Sequence, residues 1–120
     1  TQAKAAARLL AQANSEQKNA LLEKIAQKLL AKQDEILRAN QGDIEEALNL
    51  GLDPAMIDRL SIQGGRIEGI VADVRGVIKL SDPVGEVIEA AKLPNGLDVS
   101  RVRTPLGVIA VIYESRPNVT

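Results

Sequence analysis

The run Pro105-Leu-Gly-Val-Ile-Ala-Val-Ile-Tyr-Glu-Ser-Arg-Pro-Asn118 decides the fold class of this 120-residue chain. Its middle, Val108 to Tyr113, is apolar without alternation, the pattern of a strand buried on both faces at the centre of a parallel sheet. A parallel strand pairs only with a partner reached through a crossover, and none follows in these residues. The expectation is an α/β protein whose sheet is completed by further chain, and a start at Thr1 rather than Met fits a piece of a longer protein. Ligands of open α/β sheets bind at the carboxyl ends of strands, where this one delivers Tyr113, Glu114, Ser115, Arg116 and Asn118. Arg116 has the fork to hold a phosphate or carboxylate, and Ser115 can donate to a developing oxyanion. The plain alternative is a polar loop with Arg116 and Glu114 solvated or paired.

Upstream, Val84 to Leu93 and Leu97 to Thr104 each alternate apolar with polar residues around Pro94, Asn95 and Gly96. Asn followed by Gly between alternating arms predicts a β-hairpin. The parity of the second arm slips between Val99 and Val102, so a bulge is expected near Ser100. Arg101 and Arg103 are read as an exposed strand face, with contact to an acidic partner surface as the alternative.

The region before the hairpin is helical. Ala3 to Ala13 is rich in helix formers, and Asn14 and Ser15 then supply cap-type residues. A long amphipathic helix is expected from Glu16 to near Ala39, with Leu21, Leu22, Ile25, Leu29 and Leu30 on its apolar side. Asn40 to Asp43 reads as a break, and Ile44, Ala47 and Leu48 as a short helix stopped by Gly51. Asp53 before Pro54 predicts a capped helix to Leu60, and Ile67 to Ile78 carries apolar residues at helical spacing. Gly64 and Gly65 lack the spacing and the preceding strand of a phosphate loop and are read as a helix start. Lys24, Lys28, Lys32, Glu23 and Glu35 are read as a solvated helix face.

Composition narrows the function. Fifteen Lys and Arg against sixteen Asp and Glu give a net charge of −1, so no basic footprint points to nucleic acid or an anionic membrane. Without Cys or His the chain forms no disulfide, no thiolate or imidazole metal site, and supplies no thiol or imidazole to catalysis. No apolar run approaches the roughly 20 residues that span a bilayer. A soluble, cytoplasmic protein is expected.

Specific strings go further. Asp82-Pro-Val-Gly-Glu-Val-Ile-Glu89, Leu93-Pro-Asn-Gly-Leu97, Arg101-Val-Arg-Thr-Pro-Leu-Gly-Val-Ile109 and Ile112-Tyr-Glu-Ser-Arg-Pro-Asn-Val-Thr120 closely resemble γ-glutamyl phosphate reductases. Ile36-Leu-Arg-Ala-Asn40 with Asp43, and Asp58-Arg-Leu60, are similar to the helices of the same family, so the resemblance covers essentially the whole chain. It implies an aldehyde dehydrogenase-like α/β fold and reduction of L-γ-glutamyl 5-phosphate by NADPH to L-glutamate 5-semialdehyde and phosphate, the second step of proline biosynthesis. It further implies a helical region of the cofactor-binding domain over 1–83, an oligomerisation hairpin over 84–104, and the first strand and active-site turn of a Rossmann-like cofactor domain over 105–120.

By the same resemblance, Tyr113 and Glu114 border the cofactor, and Arg116 and Asn118 bind substrate. Ser115 stands where the superfamily carries an Asn for the oxyanion, so a hydroxyl donor or a backbone N–H serves in its place. The superfamily's nucleophile is a Cys, which these residues lack, so they do not complete the reaction alone. The implied partners are the small-molecule substrate, further copies of the chain through the hairpin, and glutamate 5-kinase in a transfer complex. The competing readings are the reductase half of a bifunctional pyrroline-5-carboxylate synthase and a non-catalytic helical interaction module.

Overall fold

Five helices precede a single two-stranded antiparallel sheet in the computed structural model, which describes residues 2–114, 116 and 119. In order they are α1 (Gln2–Leu10), α2 (Ser15–Ala31), α3 (Gln33–Asn49), α4 (Pro54–Leu60) and α5 (Arg66–Ile78), then β1 (Val87–Lys92) and β2 (Asp98–Val102). The chain divides into two compact units, one of residues 1–18 and 80–110, the other of residues 19–79 and 111–120.

In the first unit, α1 is followed by a reciprocal cap. The Gln17 amide N–H donates to Asn14 Oδ1 at 2.8 Å, and the Asn14 N–H donates to Gln17 Oε1 at 3.0 Å. This satisfies two backbone donors and starts α2 one residue earlier than its acidic first turn predicts. Asp82 gathers this unit: its Oδ2 accepts from Lys18 Nζ at 2.7 Å and from Ser15 Oγ at 3.0 Å, while Oδ1 accepts from the Val84 N–H at 3.1 Å. The Lys18 ammonium, and after it the Val84 N–H, hold the Asp82 carboxyl below the usual carboxylate range.

The hairpin forms in the expected place. Its loop is Pro94-Asn95-Gly96, closed by the Gly96 N–H donating to Leu93 O at 2.9 Å and the Leu93 N–H donating to Leu97 O at 2.8 Å. Gly96 sits at φ 86°, the left-handed position that three-residue hairpin loops require. The bulge lies on the other arm from the one expected: Val87 faces Val102 and Glu89 faces Arg101, so Ile88 is the extra residue, whereas Ser100 pairs regularly with Ala90. The slip seen in the second arm is absorbed by that added residue of the first, which sets Val87 opposite Val102. Every residue of both strands is exposed, and Arg101 and Arg103 pair with Glu89 at 3.4 Å and Glu86 at 2.8 Å.

The second unit packs α3, α4 and α5 with the rest of α2 on a small core of Ala26, Ala47, Ile62, Ile67 and Val71, with Asn40 the buried polar member. The break expected at Asn40 to Asp43 is absent. Helix α3 runs straight through it, and the interruption falls at Lys32 instead. The reason is tertiary: Asn40 Nδ2 donates to Leu60 O at 3.0 Å and Asn40 Oδ1 accepts from the Ile62 N–H at 2.9 Å. A side chain committed to another segment no longer competes for its own helix backbone. Gly51, at φ 70°, ends the helix as expected, and the Asp53 carboxylate caps α4 by accepting from the Ala55 N–H at 2.8 Å.

At the other end of α4 the Arg66 guanidinium donates to Ser61 O at 2.7 Å and to Asp58 O, and binds the Asp58 carboxylate at 2.6 Å. Gly64 and Gly65 both take positive φ and lead into α5 from a turn, the helix start the sequence implies. Arg75 grips Glu23 through two bonds of 2.8 and 3.2 Å, and this hydrogen bonding lowers the Glu23 pKa.

The expected strand over Val108 to Tyr113 does not form among the described residues: the segment carries no assigned secondary structure, and Ile112 is 100% exposed. A strand exists through its ladder, and no described strand lies alongside to take its N–H and C=O groups.

Candidate functional site

Arg116 is where the site begins, because it lines two clefts of the second unit at once. The first, of about 520 Å³, is walled by α4 and α5 and presents Asp58, Arg59, Ser61, Arg66 and Asp73 alongside it. The α5 side of that wall is one helical face, since Arg66, Gly69, Ile70 and Asp73 are spaced by three and four residues. The second cleft, of about 460 Å³, places Tyr113 and Arg116 against Ile36, Ala39, Leu60 and Ile62. Its floor is fixed by the Asn40 bonds to residues 60 and 62.

Of the residues singled out in the sequence, Tyr113 and Arg116 thus come together at one cleft, and Glu114 is exposed on the bend between them. Ser115 and Asn118 lie outside the described residues. No ion pair joins Glu114 to Arg116 among the described residues.

Sequence reasoning missed Arg59, Arg66, Asp73 and Asn40. Asp58-Arg59-Leu60 stood within the resemblance with no role attached, and the spacing of Arg66 and Asp73 on α5 was the signal available. Arg66 is committed to closing α4, but Arg59, Asp73 and the Arg116 guanidinium have no hydrogen-bond or ion-pair partner among the described residues. Arginines free to aim a planar fork into a cleft suit recognition of carboxylate or phosphate.

The described chain contains no strand–glycine turn–helix unit, and its one glycine pair leads into α5 from a turn rather than a strand. Among the described residues no group of acidic side chains is placed to hold a metal ion, and no helix is long and apolar enough to cross a membrane.

Five helices followed by an antiparallel hairpin are consistent with the N-terminal region of an α/β fold. The chain is homologous to γ-glutamyl phosphate reductases. The one from Bartonella tribocorum is 57% identical over 118 residues, 98% of this chain and 29% of that protein; the one from Escherichia coli (strain 536) is 52% identical over 98% of this chain and 28% of that protein. The backbone agrees with the crystal structures of γ-glutamyl phosphate reductase from Thermotoga maritima, at TM-score 0.93 and 43% identity, and from Saccharomyces cerevisiae, at 0.90 and 36%. Each is matched over 98% of this chain and 28% and 30% of the solved chain, respectively. No protein-family model matches. The chain therefore spans less than a third of the length of these relatives.

Proposed function

We propose that this chain is part of a reductase that converts L-γ-glutamyl 5-phosphate, NADPH and a proton into L-glutamate 5-semialdehyde, phosphate and NADP, a step in making proline from glutamate. The observation that carries the reading is the coincidence of 57% identity with a backbone agreement of 0.93 across 98% of the chain. The hydride comes from the nicotinamide when it is bound. What these residues contribute is substrate placement beside it.

In this reading residues 1–83 are the helical region of the cofactor-binding domain, and 105–120 its first strand and active-site turn. Arg116 holds an anionic group of the substrate, with Asn118 beside it. Tyr113 and Glu114 border the nicotinamide, and Ser115 offers a hydroxyl to the oxyanion. The nucleophile is a Cys, which these 120 residues do not contain. The hairpin of 84–104 joins copies of the chain, since both its strands are exposed with apolar residues on them and no further strand joins its edges among the described residues. A cytoplasmic location and a transfer complex with glutamate 5-kinase, which would shield the labile acyl phosphate from water, belong to the same reading.

The reaction is tested in reverse with the full-length protein, by following NADP reduction with glutamate 5-semialdehyde. Reduction that requires added phosphate is expected. Reduction independent of phosphate, or none, rejects the reading.

A further inference from the structure

Resting on the reductase reading, we infer that the cleft between α4 and α5 receives the amino-acid end of the substrate, Arg59 and Arg116 taking its carboxylate and Asp73 its ammonium group. All three side chains line one cleft of about 520 Å³, and none has a hydrogen-bond or ion-pair partner among the described residues. The other charged pair lining it, Arg66 with Asp58, is closed on itself at 2.6 Å and leaves no net charge to a ligand. What remains along the lining is two arginines and one aspartate. That is the complement of an α-amino acid, which carries one carboxylate and one ammonium on neighbouring bonds.

The sign pattern also discriminates between the two ends of the acyl phosphate. A phosphate in this cleft would gain the two arginines but face the Asp73 carboxylate, a like charge in the same confined space. An amino-acid end turns that carboxylate from a cost into a partner. Space is provided by Gly69, on the same α5 face as Asp73, where an added Cβ would meet nothing within 4 Å. The planar fork of arginine suits a carboxylate held by two parallel bonds, and using two of them fixes both oxygens. Substrate specificity for the amino acid then resides at this cleft rather than at the reacting carbon.

The full-length enzyme tests this in the phosphate-dependent oxidation of glutamate 5-semialdehyde, with aldehyde and phosphate varied separately. Arg59→Gln is expected to raise KM for the semialdehyde about 10- to 100-fold, the range of a lost charged hydrogen bond, while KM for phosphate stays put. Asp73→Asn is expected to abolish the preference for glutamate 5-semialdehyde over 5-oxopentanoate, which lacks only the amino group; a merely structural role would not move that ratio. Gly69→Leu, which fills the cleft from a helical position with open space around it, should weaken semialdehyde binding without lowering the thermal midpoint. A rise in the phosphate KM of Arg59→Gln, or an unchanged semialdehyde KM in both Arg59→Gln and Gly69→Leu, overturns the inference and leaves the reductase reading intact. A wild-type enzyme without phosphate-dependent activity rejects that reading and this inference together.

Discussion

Asn40 is 4% exposed, sits inside a helix, and spends its side chain on a segment 20 to 22 residues away. The two backbone groups it serves, Leu60 C=O and the Ile62 N–H, belong to the connection that forms the floor of both clefts beside Arg116. Replacing it with Ala or Leu leaves that donor and acceptor in a part of the molecule where water cannot take over without opening the structure. An unsatisfied buried group costs about 1–3 kcal/mol. Asn40→Ala is therefore expected to speed hydrogen exchange at the Ile62 amide by about 10-fold or more, read by NMR or mass spectrometry. Unchanged protection at Ile62 would show that the bond does not hold this connection. Asn40 is also where residue-level reading of the sequence failed: beside Gln41 and Gly42 it has the composition of a turn, and only its distant partners make it a helix residue. Arg116, by contrast, stood out in the sequence as a guanidinium just beyond an apolar run, and it lines both clefts.

Helix α3 shows how far local propensity can be overruled at the scale of an element. Gly42 lies in its interior at ordinary helical backbone angles with nothing within 4 Å of where a Cβ would sit, whereas Gly51 just past its end has φ 70°. The same substitution must then have opposite signs. Gly42→Ala is expected to stabilise by about 0.5–1 kcal/mol, because alanine loses less backbone freedom on entering a helix. Gly51→Ala is expected to destabilise by about 1–2 kcal/mol through the left-handed conformation that a Cβ disfavours. Thermal midpoints of the two variants check this, and a shift in the same direction for both would contradict it. Capped helices were legible for a matching reason: Asp53 with Pro54, and Asn14 with Gln17, act within one turn and need no distant partner. The hairpin was legible from Asn95 and Gly96, but its bulge was not. A parity slip reports that two strands are out of step without saying which one carries the extra residue, and here it is Ile88.

At the scale of the whole molecule the telling feature is the apolar run that remains outside any core. Leu106, Val108, Ile109, Val111 and Ile112 are 87%, 55%, 64%, 62% and 100% exposed, and their backbone forms no ladder among the described residues. Exposed chain of this kind cannot recover the free energy of ordering it, since burial of apolar area is what offsets the lost conformational freedom. The sequence said that this segment wants neighbours on both faces, and it could not say which strands those are, because a parallel ladder is made by residues remote in the chain. The relatives that share this span, of whose length it makes up less than a third, are where such strands are to be sought. The amides of 108–112 are therefore expected to exchange at nearly unprotected rates in a polypeptide limited to residues 1–120, and about 1,000-fold or more slower in the full-length protein, where a central strand opens only with its domain. Mass spectrometry of exchanged peptides covering 106–113 distinguishes the two. Fast exchange in the full-length protein would mean that the run is not a sheet strand, and the cofactor-domain reading of residues 105–120 would fall with it. Slow exchange in the short polypeptide would mean that these residues bury the run without further chain, against the need that their exposure expresses.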